Sequence, residues 1–323
     1  MAARLHPVPY RPPEIIDLRR VDARELEPLL QEETQTWRDE LNWDFEKSAD
    51  LVRRFVDLHA LNGTALLENG EVVGYLYYVL EDNKGLIGDL YVRHSVRTPD
   101  REFSLLETAL EAITANPAIT RVESQLMMLQ KSGGPMPGAH LLSSFERIFM
   151  RVNLRTAILA EGRVRKPMYV EKWSDHYQDA AAQLIAAAYT GHIDSRINDQ
   201  YRSAGGARRF LYNIVQYPGC GSFYRPASCA AFDALSGRML GVSLTSIVAP
   251  ECGHITQICV SPEARSTGIG HALLRRSLTT MRDAGCRSAS LTVTAANESA
   301  VALYERVGFR TVRRFSAFVW EGF

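Results

Sequence analysis

The chain has 323 residues, 46% of them hydrophobic, and its 37 basic side chains balance its 37 acidic ones. That length predicts two domains, the apolar share excludes a disordered chain, and the absent net charge argues against a nucleic-acid partner. The opening MAARLHPVPYRPPEIIDLRR lacks the apolar core of a signal peptide, and no stretch reaches membrane-spanning length, so no membrane partner is expected. Cys220, Cys229, Cys252, Cys259 and Cys286 form no CxxC pair. The expectation is therefore neither a disulfide framework nor a bound metal, and a reducing, cytoplasmic setting.

In chain order, DARELEPLLQEETQTW and DFEKSADLVRRFVDLHAL repeat apolar residues every three or four positions and predict helices. A turn is expected at Asn62-Gly63, then strands at TALLE, VVGYLYYVL and GLIGDLYV, the first two joined as a hairpin by Asn69-Gly70. REFSLLETALEAIT reads as a helix, RVESQLMML as a strand, KSGGPMPGAH as a loop and LLSSFERIFMRV as a closing helix. The charged stretch 160–167 predicts a linker, which divides the chain into domains 1–160 and 161–323.

The second half repeats the order. MYVEKW is a predicted strand, HYQDAAAQLIAAAY and GARRFLYNIVQY are helices, and CAAFDA, MLGVSLTSIV and HITQICV are strands. GHALLRRSLTTMRDAG is a helix closed by Gly285, SASLTVTA a strand, ESAVALYERV a helix stopped by Gly308, and TVRRFSAFVW a last strand. Residue by residue, Gly74 matches Gly241, Val92 matches Val260, and IFMRVNLR (148–155) matches LYERVGFR (303–310), which suggests a duplicated domain.

The most informative segment follows the strand that ends at Val260: Arg265-Ser266-Thr267-Gly268-Ile269-Gly270, opening a helix near Gly268. Glycines let backbone N–H groups approach an anion, and the helix dipole adds positive potential, so this turn can cradle a pyrophosphate. A dinucleotide-binding turn would need a third glycine where His271-Ala272-Leu273 stands. After one more strand comes NESAVALYERVGF, with Asn297, Ala300, Leu303, Tyr304, Gly308 and Phe309.

These two linked segments resemble the GCN5-related N-acetyltransferase (GNAT) superfamily, firmly over about 168–323 and more faintly before it. The resemblance implies an α/β (α+β) fold of two tandem GNAT-like domains. Each would be a mixed, twisted sheet flanked by helices, its central strand pair splayed to admit a pantetheine arm. It implies acetyl-CoA as the donor cofactor. Arg265, Ser266, Thr267, Gly268, Ile269, Gly270 and His271 would hold its phosphates. Ile258, Cys259 and Val260 would hold the pantetheine and polarise the thioester, with Asn297, Ala300 and Tyr304 on the facing helix.

Acetyl transfer needs a neutral amine, a stabilised oxyanion and a proton for the leaving thiolate. A phenol carries that proton at neutral pH, so Tyr304 is the expected general acid. The strand before the cradle offers Gln257 where many members of the family carry a glutamate, leaving His254 or Glu251 as a base acting through water. The polar run Ala187 to Ser203 is expected at the acceptor end, with Tyr189, His192, Asp194, Asn198 and Gln257 as substrate-binding residues and carboxylates to hold a cationic amine. In the first half, Pro99, Asp100 and Glu102 fall where Thr267, Gly268 and Gly270 stand, and Phe149 falls opposite Tyr304. The first domain is thus expected to be a degenerate copy. The whole reads as an acetyltransferase for a small-molecule or peptide amine; the alternative is a non-catalytic coenzyme A-binding sensor or scaffold. Acyl chain length and oligomeric state have no signature.

Overall fold

The computed structural model describes residues 13–130, 135–217 and 219–323; the first part of the N-terminal stretch and the 131–134 portion of the Gly/Pro loop lie outside the described residues. The described chain forms two compact units. The first comprises its described residues up to Gln35, Ala49–Ser143 and Val319–Phe323, and the second comprises Thr36–Ser48 and Ser144–Phe318.

The elements of the first half run β1 Glu14–Asp17, α1 Ala23–Leu41, α2 Glu46–Asp57, β2 Asn62–Glu68, β3 Glu71–Glu81, β4 Lys84–Val92, α3 Pro99–Thr114 and β5 Arg121–Gln125. Strands β1 to β4 pair antiparallel in sequence order, and β5 adds to β4 in parallel. Asn69 and Gly70 both take positive φ, 54° and 86°, as the two-residue hairpin between β2 and β3 requires. Asn62-Gly63 is not a turn: both residues are in β2, opposite Tyr78 and Tyr77. Gly63 is there for close packing, since a Cβ on it would stand 2.2 Å from the Leu76 carbonyl oxygen. Helix α3 starts where the Thr98 hydroxyl accepts the Arg101 N–H and Pro99 sets the first φ, and it buries Leu105, Leu106, Ala109, Leu110 and Ile113.

The second half runs β6 Leu142–Asn153, β7 Met168–Lys172, α4 Gln178–Tyr189, α5 Asp194–Ile197, α6 Ala204–Gln216, β8 Ser222–Phe223, β9 Cys229–Asp233, β10 Met239–Ala249, β11 Cys252–Val260, α7 Ile269–Asp283, β12 Ser288–Thr294, α8 Glu298–Val307 and β13 Arg310–Glu321. In the second unit the strand order is β13-β6-β12-β11-β10-β9-β7, with β8 on β10. β11 and β12 are parallel and the pairs from β11 through β7 antiparallel.

A second expectation is overturned. LLSSFERIFMRV is a strand, β6, paired antiparallel with β12 from Arg147↔Thr294 to Asn153↔Ser288. Leu142, Phe145, Phe149 and Val152 satisfy a helical period, but Ile148, Met150 and Val152 also satisfy a period of two, and it is these that enter the core beside Leu291 and Val293. Tertiary pairing decided between the two. The match of IFMRVNLR to LYERVGFR therefore fails, because one is a strand and the other helix α8 and its end. Phe149, buried on β6 opposite Thr292, is no counterpart of Tyr304.

The other two matches hold in register. Gly74 faces Val92 across β3 and β4, and Gly241 faces Val260 across β10 and β11. Each pair is also interrupted at the same distance from its glycine, between Tyr77 and Tyr78 and between Leu244 and Thr245.

Candidate active site

The site begins where two parallel strands part. Pairing between β11 and β12 ends at Ile255↔Leu291, although β11 continues to Val260 and β12 to Thr294. From Thr256 onward the β12-facing edge of β11 has no strand partner, so its N–H and C=O groups on that side are open to a ligand. The bulge at Thr256 re-aims the backbone at the mouth of this opening.

Past Val260 the chain makes a short turn, Pro262–Ala264, and enters α7. Ser266 and Gly268 take positive φ, 60° and 94°. The turn is fastened by the Thr267 hydroxyl donating to the Ala264 carbonyl (2.6 Å) and by the Arg165 N–H donating to the Thr267 carbonyl (2.8 Å). The two glycines have different causes. Gly268 is demanded by the turn itself, since a Cβ there would lie 2.4 Å from the Arg163 carbonyl oxygen. Gly270 is not: a Cβ there would make only ordinary contact with Val260 at 3.5 Å. Its missing side chain leaves open the floor of the cleft, which is the space a phosphate needs. No side chain caps α7, so the N–H groups of its first turn are unspent.

Between the parted strands and this turn lies a cleft of about 570 Å³, a size suited to a small-molecule ligand. Ile258, Cys259 and Val260 line it from β11, Arg265, Ser266, Gly268, Gly270 and His271 from the turn and α7, and Asn297, Ala300 and Tyr304 from α8. Tyr189 and His192 close one side from the end of α4. Sequence reasoning missed Arg306, an exposed lining cation without a carboxylate partner among the described residues, and Leu303, an expected family position whose side chain lines the floor. The i, i+3 steps from Ala300 to Leu303 and from Leu303 to Arg306 along α8 were the available signal. Ile269 is fully buried beneath the turn, and Thr267 serves it internally.

Tyr304 is buried at 7% exposure, and burial, reinforced by the Asp194 carboxylate, pushes its phenol well above the usual range. It therefore keeps its proton until a strong base forms beside it. The same cause, burial, takes the Cys259 thiol up to about 12, which removes it as a nucleophile. Arg265 donates to the Ala188 carbonyl and so ties the turn to α4.

The acceptor-end residues form a hydrogen-bonded cluster. Tyr189 and Tyr201 stack at 4.4 Å, and Gln257 joins them, its amide donating to the Tyr189 hydroxyl (3.0 Å) and its carbonyl accepting from Tyr201 (3.5 Å). Asp194 is not free to hold a cationic amine. Its Oδ1 accepts from Arg147 at 3.2 Å and from the Thr294 hydroxyl. Asn198 caps the turn Asp199–Arg202 through the Gln200 N–H (3.0 Å) and does not line the cleft.

The two residues expected as bases are elsewhere. His254 is buried, edge-on to Trp43 at 4.9 Å, stacked on Phe149 and bonded to Ser290 at 2.9 Å. Burial lowers its pKa to about 3, so it stays neutral as a core residue. Glu251 sits at the β10–β11 turn, exposed and paired with Arg287 at 2.9 Å. The alternation of β11 explains the miss: the splay exposes its C-terminal half and leaves His254 in the paired half.

In the first unit the corresponding places are filled. Pairing of β4 with β5 also stops early, at Ile87↔Ser124. Six residues join Val92 to α3, against eight from Val260 to α7, so the turn is two residues shorter and the pairing of individual turn positions shifts by that much. No glycine stands in it. Arg97 and Glu102 form a buried ion pair at 2.6 Å, and the Glu102 carboxylate also accepts the Gln130 N–H at 3.2 Å.

Among the described residues no helix is long and apolar enough to cross a membrane, and no group of three His, Cys, Asp or Glu is arranged to hold a metal. All five cysteines are free.

Residues 194–309 match the acetyltransferase (GNAT) family. The chain is 36% identical over 78 residues to mycothiol acetyltransferase of Paenarthrobacter aurescens, covering 23% of this chain and 24% of that one. It is 35% identical over 81 residues to the ribosomal protein bS18-alanine N-acetyltransferase of Escherichia coli K12, covering 24% and 54%. The matched stretch thus spans about a quarter to a half of those relatives. Among solved structures, a GCN5-related N-acetyltransferase from Sphaerobacter thermophilus superposes with a TM-score of 0.68 at 15% identity, covering 96% of this chain and 95% of the other. A tandem GNAT protein from the clavulanic acid biosynthesis pathway gives 0.61 at 18%, covering 96% and 98%. Residues 194–309 thus match the GNAT acetyltransferase family, and the chain has the fold of a tandem GNAT protein.

Proposed function

We propose that the second unit is an acetyl-CoA-dependent N-acetyltransferase acting on an amine of a small molecule or peptide. The observation that carries this is the alignment of three features on one cleft: an unpaired strand edge, an uncapped helix N-terminus whose Gly270 keeps the floor open, and a buried protonated phenol. The mycothiol and ribosomal-protein relatives are both acetyltransferases, and their acceptors differ.

In this reading acetyl-CoA supplies an activated acetyl thioester. The α7 N-terminus, the turn through Ser266 and the Arg306 guanidinium hold its phosphates. The free edge of β11 from Ile258 to Val260 binds the pantetheine as an added strand would, and aligns the carbonyl for attack. Tyr304 gives its proton to the departing sulfur. Tyr189, Tyr201 and Gln257 shape the acceptor end, presenting stacked rings and a fixed amide to the incoming amine.

The first unit, on this reading, holds no acetyl-CoA, because Glu102 already supplies Arg97 with its anion.

The test is thiol release from acetyl-CoA, followed with a thiol reagent across primary alkylamines, amino sugars and peptides with free N-termini. Amine-dependent release is expected. Tight acetyl-CoA binding with no release from any of them would favour a sensor or scaffold.

A further inference from the structure

Acetyl transfer has a fixed proton count. A neutral amine attacking an acetyl thioester needs no separate base: the C–N bond forms, the C–S bond breaks, and Tyr304 gives its proton to the sulfur. The nitrogen then returns one proton to the phenolate. Amide and free thiol result, and Tyr304 ends as it began. An ammonium acceptor carries one proton more, which must leave before attack and needs a taker beside it.

Among the described residues that line the cleft there is no Asp and no Glu. The phenols of Tyr189 and Tyr304 and the Cys259 thiol are held protonated by burial. Arg265 and Arg306 have no lone pair to offer. Both ring nitrogens of His192 already face N–H groups. Its Nδ1 accepts from the Asp194 N–H at 3.2 Å, and its Nε2 stands 3.4 Å from the Asn297 side-chain nitrogen. Asn297 presents that nitrogen because, as the cap of α8, its oxygen accepts from the Ala300 N–H at 3.4 Å. His271 stands in the first turn of α7, at the phosphate end, where burial, then Arg275 and Arg306, lower its affinity for a proton.

The same walls hold nothing to pair with a cation. Their fixed charges, Arg265 and Arg306, are positive. Asp194 on α5 has its Oδ1 claimed by Arg147 of β6 at 3.2 Å and by the Thr294 hydroxyl of β12. Arg147 also donates to that hydroxyl at 2.6 Å, so the carboxylate is fixed away from a ligand. Gln257 is uncharged, and both ends of its amide are used by Tyr189 and Tyr201. An ammonium ion would be desolvated there without a partner, a penalty that an uncharged amine escapes.

We propose that the acceptor is a weakly basic amine that enters the cleft uncharged, of the α-amino class, and that lysine-type ammonium groups are excluded; this rests on the reading of the second unit as an acetyltransferase. An α-amino group titrates at about 7.7–8.0 and a lysine side chain at about 10.4, so at pH 7 about a tenth of the first is neutral and less than about a thousandth of the second. The greater nucleophilicity of the lysine nitrogen recovers only part of that gap.

The test is thiol release by the intact chain with two peptides of one sequence, one with a free α-amine and a blocked lysine, the other the reverse. At pH 7 the α-amine is expected to give a kcat/KM at least about tenfold higher. The pH profile should follow the acceptor, with a plateau above about pH 8 for the α-amine and a continued rise toward about pH 10 for lysine. An arylamine, whose ammonium form is far more acidic, should show no acid limb near neutrality. Equal kcat/KM for the two peptides at pH 7, or one acid limb common to all acceptors, overturns the proposal, because either means that the protein removes the proton itself. Binding is judged separately from turnover. With coenzyme A present at pH 7, benzyl alcohol is expected to bind at least about tenfold tighter than benzylamine, which is an ammonium ion there. The reverse order overturns the exclusion of cations. If the chain binds acetyl-CoA but acetylates no amine, it is the functional reading that fails, and the order of binding still judges the acceptor end.

Discussion

Gly74 faces Val92 in one unit and Gly241 faces Val260 in the other, and beyond each pair the antiparallel ladder breaks at the same place. Past that break the two units diverge. In the first unit the bulged residue is Gly88, and the Tyr77 ring lies so close that a Cβ on Gly88 would stand 2.1 Å from it. Asp89 takes the register place of Gln257; it is buried beside Glu33, which Tyr75 also contacts at 2.8 Å, and burial raises its pKa. The bulge of the first unit is thus crowded by the Tyr77 ring and the Asp89–Glu33 pair. In the second unit the bulged residue is Thr256, bonded sideways to Ser246 at 3.0 Å, and the parting of β11 and β12 is left as a cleft. The same frame is closed by a carboxylate, an arginine and tyrosines in one case, and kept open by glycine in the other. The frame sets where a ligand would go; the residues at four or five positions set whether there is room for one.

That contrast can be broken in several ways. The largest effect is expected from Glu102→Ala. It leaves Arg97 as an uncompensated buried charge, so the unfolding free energy should fall by about 3–5 kcal/mol, while acetyl-CoA affinity stays as it was. A denaturation curve and a titration on the same sample decide; weakened acetyl-CoA binding would mean that the first unit takes part in it. Next is Tyr304→Phe, for which kcat is expected to drop about 10²–10³-fold with Kd for acetyl-CoA unchanged. Equal turnover would leave the phenol with a packing role only.

Gly270→Asp should weaken acetyl-CoA about a hundredfold, roughly 3 kcal/mol. It is a cleaner probe than any change at Gly268, where a Cβ would meet the Arg163 carbonyl oxygen at 2.4 Å and disturb the turn itself. Calorimetry on the folded variant showing parental affinity would move the phosphate site elsewhere.

The smallest effect concerns His254. Its ring stays neutral in the folded chain down to about pH 3, while an exposed imidazole takes a proton near 6.5. Between those values the unfolded chain binds the extra proton, so the stability contributed by this site is full above pH 6.5 and falls as pH drops toward 3. By pH 5 the loss is about 2 kcal/mol. Replacing it by Asn should flatten that slope between pH 7 and 5, and an unchanged slope would mean that other groups carry it.

Much of the second unit's site was legible in the sequence because it rests on local chemistry. Gly268 is needed for a positive φ, Asn297 for a helix cap, Gly308 for a helix end, and each leaves its mark at one position. The glycine–valine register of the two halves was legible too, since a bulged hairpin constrains both strands. What was not legible depends on partners distant in the chain. β6 satisfies a helical and a strand period alike, and only β12 selects the strand. His254 is a plausible base on paper, and only the point at which β11 leaves β12 shows it to be a buried ring in the paired half of the strand. Asp194 looked like a ligand for an amine because Arg147 and Thr294, which claim it, lie 47 and 100 positions away.

The measurement that tests the account most directly is the stoichiometry of acetyl-CoA binding to the intact chain by calorimetric titration, repeated with Gly270→Asp. One site per chain, lost in the variant, is the predicted result. Two tight sites per chain, or one that survives in Gly270→Asp, would contradict it.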